Sequence, residues 1–421
     1  TQRAHAMKNY RILLVANSLF FGAVGVMMPL LSLYLQELGA DLALISIILT
    51  SAVVVALAGN FAWGWLADRT GRRKPFYIAG LLGMAVGYLW LSQANTIAMA
   101  WPARLLDGLG MAAVYTLGLT LAGDTLDTSS TKGRSIGLFR GLGSLAWAIG
   151  AFTGGRLADM FSVSAAFILC SVLMVAAALI ALLLDDVKPP VLIGGIPHAG
   201  RPHRRGTRSG GIIPQLRRSP LRRTLCPPLP PSGNAPIATT AQLPPTTDAA
   251  LAPPLAPKTR RLAGLPLLYL AGVMLWTAVD YASSTMWPNY MASVGYSKTA
   301  ISSLWSLAAF FEMPAMVVFG GLSDVVGRTI MLIAGGFGIA AVQVGYVLFI
   351  QSLPILLGIQ VARGLGLGSY TSAAMTYAAE SGTQETRGSS SGVFYATSSA
   401  GQLAGTLLAG TMAQAFGFTA L

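Results

Sequence analysis

Charge is what this chain of 421 residues has least of: Asp, Glu, Lys and Arg together make up 10% of it, against about 25% in an ordinary soluble protein. A water-facing surface needs more than that, and the mean hydropathy of +0.62 agrees. Cysteine is nearly absent. Cys170 sits in an apolar run and Cys226 in a polar stretch, which excludes a disulfide framework and a thiolate metal cluster. The three histidines, His5, His198 and His203, all lie outside apolar segments. No metal site and no cofactor is therefore expected. Neither a nucleotide loop of the form GxxxxGK[ST] nor an HExxH pair is present, so neither a pump nor an enzyme is expected.

What is present is long apolar runs. Residues 42–65 and 75–103 contain no Asp, Glu, Lys or Arg, and about 20 such residues cross a bilayer as helix. Continuous runs also exclude an outer-membrane barrel, whose strands alternate. Reading runs between polar breaks predicts eleven spans: 11–36, 42–66, 75–94, 96–123, 136–158, 163–184, 264–292, 299–322, 329–350, 353–379 and 391–415. The first is as long as a spanning helix and has no A-x-A site, so no cleaved signal is expected. Met7 is a more natural start than Thr1.

The net charge of +13 comes mostly from one segment. Between 185 and 262 there are 12 Lys/Arg against 3 acids, together with 16 of the 23 prolines. Such composition predicts a disordered cytoplasmic loop. An alternative reading is that part of this segment is out-of-frame translation. It has no aromatic stacking set and no folded basic module, so nucleic acid is not an expected partner. Placing the N-terminus in the cytoplasm puts 23 Lys/Arg inside and only Arg156 and Lys298 outside. The predicted protein is therefore a multi-pass inner or plasma membrane protein with a cytoplasmic N-terminus. A monomer in the lipid bilayer is expected.

The two halves repeat. Gly64-Trp-Leu-Ala-Asp68-Arg69-Thr-Gly71-Arg72 recurs as Gly320-Gly-Leu-Ser-Asp324-Val-Val-Gly327-Arg328, 256 residues on. Gly108-Leu-Gly110 matches Gly364-Leu-Gly366 and Asp124 matches Glu380 at the same offset, while Gly150 and Gly155 match Gly405 and Gly410 at 255. The chain thus reads as two copies of a six-helix unit: 1–184 as one bundle, 185–262 as the loop, and 263–421 as a second bundle with five of six helices. Residues 416–421 align with the start of span six, so the twelfth helix is read as missing.

In the repeated block, Gly64 is expected to let two helices approach. Asp68 should end a helix and meet a neighbouring helix N-terminus. Gly71 should permit a tight turn, with the following cations at the headgroups. This block resembles the loop signature of the major facilitator superfamily, with its weaker copy between spans eight and nine. The resemblance implies an all-α membrane protein with two bundles that rock about a midplane cavity. It also implies that Asp68, and by repeat Asp324, latches the bundles on the cytoplasmic side when the cavity opens outward.

Arg104-Leu-Leu-Asp107-Gly108-Leu-Gly110 resembles the family's fourth-span motif, with Asp107 where drug exporters more often carry Gln. An Arg104–Asp107 pair at i,i+3 follows as an option, read as a tether near the cytoplasmic third. Span five, Gly137-x8-Ala146-x3-Gly150-Ala151-x2-Gly154-Gly155, is similar to the antiporter signature of proton-coupled exporters but lacks its Pro. The stretch Phe311-Glu312-Met-Pro314 resembles the eighth span of sugar-efflux members.

Ionisable residues inside spans are functional by default. Away from the span ends these are Arg104, Asp107, Arg140, Asp280, Glu312 and Arg363. With no histidine in a span, proton coupling must fall to a carboxylate: Glu312 first, with Asp280, read as shallower in its span, and Asp107 behind it. Asn17, Trp276 and Trp305 are the expected solute-binding residues. The predicted function is proton-coupled efflux of a small organic solute, a drug or a metabolite. A sugar- or nucleoside-type symporter and a non-functional remnant are the alternatives.

Overall fold

The apolar runs fold as helices over nearly their predicted lengths. The computed structural model describes residues 2–126, 132–185, 261–262, 264–381 and 387–421. Within them, eleven helices follow in order. The first six are α1 (Gln2–Glu37), α2 (Leu42–Thr70), α3 (Lys74–Gln93), α4 (Ile97–Leu126), α5 (Lys132–Met160) and α6 (Val163–Ala181). The others are α7 (Leu267–Ser293), α8 (Lys298–Val326), α9 (Arg328–Phe349), α10 (Leu353–Ser381) and α11 (Arg387–Phe416). Apart from Asp185, Arg261 and Leu262, the expected disordered loop lies outside the described residues. Span seven begins at Leu267 rather than 264, because a two-residue hairpin precedes it: β1 (Arg261–Leu262) pairs antiparallel with β2 (Leu265–Pro266).

Local chemistry sets the helix ends. Asp41, Ser162 and Ser297 cap α2, α6 and α8 by accepting the N–H three residues on, at 2.7, 3.1 and 3.2 Å, which satisfies donors that the helix leaves unpaired. Gly71 closes α2 with φ +63°, a left-handed C-cap. Pro75 then opens α3 where a missing N–H costs nothing.

Seven helices, α1, α2, α3, α4, α6, α8 and α9, are long and apolar enough to cross a membrane by length and composition. The other four are as long and more polar. In α7, α10 and α11 the polar side chains turn inward: Thr277, Asn289, Gln360, Ser369, Ser390 and Thr406 are all buried. A search for apolar runs undervalues such helices, since their polar faces meet protein and not lipid.

In the first half α1 packs on α5 and α6, α3 on α4 and α6, and α2 on α4. In the second, α7 packs on α11, and α10 on α8 and α9. Two seams join the halves, α5 against α8 and α11 against α2. By the repeat, α8 corresponds to α2 and α11 to α5, so one contact is made twice. The seams are closed at the end bearing the α1–α2 and α7–α8 turns. There Lys298 pairs with Glu37 at 2.6 Å, and Asn289 donates to Gln36 at 2.6 Å and to the Ser32 carbonyl at 3.3 Å. At the opposite end Phe61 and Val325, on α2 and α8, are 80% and 86% exposed.

Candidate functional site

The helices of both halves enclose a cavity of about 520 Å³. Asp280 on α7, Glu312 on α8 and Arg363 on α10 line it together, with Trp276, Trp305 and Tyr370 beside them and Tyr115, Ser144 and Trp147 from the first half. Asp280 is the middle residue of α7, 13 residues from either end, and Glu312 the middle residue of α8, 14 from either end. The expectation that Asp280 lies shallower is thus corrected: both carboxylates stand at the midpoints of their helices.

Glycine brings these helices together. A side chain at Gly364 would meet the backbone N of Glu312 at 3.1 Å, and one at Gly368 the Glu312 carbonyl oxygen at 2.7 Å. Without a Cβ at these positions α10 lies directly against α8, as small residues permit between membrane helices. The neighbouring Arg363 is thereby delivered to the cavity. Its Nη2 donates to Ser284 Oγ at 2.6 Å and to Asp280 Oδ1 at 3.4 Å. Its guanidinium carbon lies 5.9 Å from the Trp305 ring centroid, within cation–π range. Trp276 stacks on Tyr370 with centroids 3.9 Å apart and planes 10° from parallel. Trp305 stacks between Trp147 of the first half, at 5.9 Å, and Trp287, at 6.2 Å.

A second lobe of about 480 Å³ continues toward the first half, lined by Arg104, Asn60, Tyr115, Tyr281, Ser284 and Gln402 among largely aliphatic side chains. Arg104 and Asp107 form the i,i+3 ion pair, with Asp107 wholly buried. The pair stands seven residues in from the start of α4, about 10 Å along the helix. That is toward the closed end, which is the outer side if the N-terminus is placed in the cytoplasm, and not the cytoplasmic third where the pair was expected. Asp107 does not line either lobe. Asn17 does not line them either: its amide donates to the Phe139 carbonyl at 3.1 Å and ties α1 to α5. Trp276 and Trp305 lie where expected. The Arg140 side chain lies outside the described residues.

Ser284 and Tyr281 were missed as site residues. A signal existed, since residues 280, 281 and 284 share a helix face at i, i+1 and i+4 spacing. Tyr115 carried no such signal, because it reaches the cavity only through the packing of α4.

The repeated signature is partly as expected. Gly71 makes its turn, and Gly327 takes φ +104° between α8 and α9. Gly64 corrects an expectation: a side chain there would meet nothing within 4 Å, and at Gly320 only Ser372, at 3.9 Å. Asp68 is 78% exposed, with Arg73 of its own half at 3.9 Å. Asp324 pairs with Arg328, which also pairs with Glu380 at 2.9 Å, all within the second half. Arg69 lies over the Trp65 ring at 5.0 Å and Arg72 is exposed. Lys74, just past the signature, donates to the Leu184 carbonyl at 2.6 Å. Among the described residues, the ion pairs of Asp68 and Asp324 all stay within their own halves.

The profile of the Major Facilitator Superfamily matches residues 13–227 and 268–421. The chain belongs to that family. A putative sugar efflux transporter of Deinococcus radiodurans is 24% identical over 396 residues, 93% of this chain and 87% of that one. An uncharacterized MFS-type transporter of Methanocaldococcus jannaschii is 28% identical over 184 residues, 43% of this chain and 46% of that protein's length. The multidrug resistance protein Stp of Mycobacterium tuberculosis is 33% identical over 96 residues, 23% of this chain and 18% of its own. Among solved structures, the nucleoside transporter NupG superposes with a TM-score of 0.67 at 14% identity, covering 96% of this chain and 91% of that one. A bacterial homologue of the lysosomal transporter Spinster gives 0.67 at 15% identity, covering 99% and 83%. The fold is that of a major facilitator transporter, an all-α membrane protein.

Proposed function

We propose that this chain is a secondary active transporter that moves a small organic solute by alternating access and couples its efflux to protons. One observation carries the reading: two carboxylates and one guanidinium, Asp280, Glu312 and Arg363, line a single cavity that both halves enclose. Arg363 is bonded to Asp280 and Ser284, which leaves Glu312 as the carboxylate whose charge is set by a proton or by a solute. A group at the middle of a span is exposed to each side in turn as the halves rock, so a proton taken up on one side is released on the other. The aromatic faces of Trp276, Tyr370 and Trp305 supply flat apolar contact for a solute ring, and Ser284, Tyr281 and Gln402 supply hydrogen bonds.

A second reading, a sugar-like hydroxylated solute, is favoured by the Deinococcus radiodurans relative, which matches along 93% of this chain. Aromatic stacking with a few convergent polar groups suits such a ring as well as it suits a drug.

The test is flux in proteoliposomes holding the full chain and an interior pH indicator, against a panel of hydroxylated and aromatic solutes. Proton movement that starts only when one solute class is added supports the coupling and names the class. Solute movement with no proton movement overturns the coupling.

A further inference from the structure

We infer that Asp159 is a charged latch joining the two bundles at the closed end, and that Gln414 is its uncharged counterpart in the repeat. Asp159 lies in the last turn of α5. Its Oδ2 accepts the backbone N–H of Thr299 at 2.7 Å and its Oδ1 that of Lys298 at 3.2 Å, both in the first turn of α8. Gln414, in the last full turn of α11, accepts the backbone N–H of Ala43 in the first turn of α2 at 2.9 Å through Oε1. The offsets agree: 159 to 414 is 255, as for the paired glycines, and 43 to 299 is 256, as for the signature. One inter-bundle bond has been made twice, once with a carboxylate and once with an amide.

Packing supports each bond. A side chain at Gly155 would meet the Lys298 carbonyl oxygen at 2.7 Å and Ser302 Oγ at 2.7 Å. Its repeat partner Gly410 lies as tightly on the Leu42 carbonyl, and its N–H donates to Ser46 Oγ at 2.7 Å. These glycines bring each helix end within reach of the facing N-terminus.

The distribution of charge at the two sites separates their roles. An α-helix N-terminus favours an anion and leaves several N–H groups unpaired. The start of α2 has its carboxylate within its own bundle, in the cap Asp41, which accepts from Leu44 at 2.7 Å. Its cross-bundle acceptor, Gln414, is neutral. The start of α8 is the reverse: its own cap, Ser297, is neutral, and its carboxylate, Asp159, comes from the other bundle. Opening this end therefore leaves α2 with its anion and strips α8 of its own. Asp159 thus favours the closed arrangement by more than Gln414 does, since hydrogen bonds to a charged group are the stronger. The charged neighbours are Lys298, paired with Glu37 at 2.6 Å across the same seam, and Arg156, one turn back on α5 and 5.8 Å from the Phe152 ring. The latch acts on transport only if the bundles alternate, as the proposed cycle requires.

The experiment measures distances between spin labels at Asn95→Cys and Gln351→Cys, exposed positions at the closed end in opposite halves, with Cys170→Ala and Cys226→Ser as background. The full chain is held in nanodiscs. Asp159→Asn should shift the closed-to-open ratio toward the longer distance by roughly tenfold, the worth of one charged hydrogen bond. Gln414→Ala should shift it by less. Adding Asp41→Ser and Gln414→Glu to Asp159→Asn rebuilds the charged arrangement at α2 and should move the ratio back. A ratio unchanged by Asp159→Asn, in a chain that shows both distances, overturns the latch and leaves the transport cycle standing. One distance under every pH and in every variant overturns both.

Discussion

Arg363 and Asp280 meet across α10 and α7, their charged atoms 3.4 Å apart in the wall of the central cavity and both side chains largely buried. Breaking such a pair from one side leaves an uncompensated charge, which costs about 3–5 kcal/mol, while replacing both partners costs far less. Arg363→Gln should therefore lower the melting temperature of the purified protein markedly. Adding Asp280→Asn should restore most of the loss without restoring transport. A double variant no more stable than the single one would show that the two charges act independently.

Glu312→Gln keeps the shape of the side chain and removes its titration. Solute exchange should persist, and accumulation driven by a pH gradient should fall to the level of empty vesicles. Survival of uphill transport with unchanged pH dependence would assign the proton to another group.

Asp107→Asn removes the wholly buried charge of a pair whose other member, Arg104, lines the second lobe. The expected effect is structural: a loss of about 3 kcal/mol or more in stability, with the pH dependence of any remaining transport unchanged. A shifted pH profile in a well-folded protein would move Asp107 into the coupling machinery.

Asp68 is exposed and bonded only weakly in the state described, so Asp68→Asn should alter stability by less than about 0.5 kcal/mol. If the charge joins the halves only when the opposite end closes, its loss enlarges the population seen here, with the closed end shut. The Asn95–Gln351 label pair should then report more of the short distance. No change in the distance distribution, together with normal transport, would remove Asp68 from the gate.

Acid should open the closed end only at the bottom of the carboxylate range. Burial alone pushes the Asp159 carboxyl up, but hydrogen bonds from Thr299, Ser297 and the Lys298 backbone outweigh it and hold the group below its ordinary value. A carboxyl depressed in the latched state stabilises that state above its unlatched value, and the contribution is lost as pH falls through the latched one. The closed population attributable to Asp159, taken as the difference from Asp159→Asn, should be flat through neutrality and decline below about pH 4. Titration of that difference near neutrality would contradict the assignment.

Composition and pattern were enough for a membrane protein of long helices built as a twofold repeat. They were enough because lipid demands apolar runs of fixed length, and because two copies of one bundle keep their turn residues in register. The inward placement of Glu312, Arg363 and Trp305 in the cavity wall was legible for the same reason: an ionisable or indole side chain deep in an apolar run has few places to go. What sequence could not decide is which of these residues meet. Asn17 and Asp107 look as promising as Asp280 along the chain, yet one ties α1 to α5 and the other is closed on Arg104, while Gly364 and Gly368 bring α10 against Glu312. Nor could spacing show that Gly64 stands clear of neighbours while Gly155 and Gly410 are pressed against the facing bundle. Helix periodicity fixes which side chains share a face, but the partner of that face and the state of the seam depend on contacts between segments far apart in sequence, which only the packed structure decides.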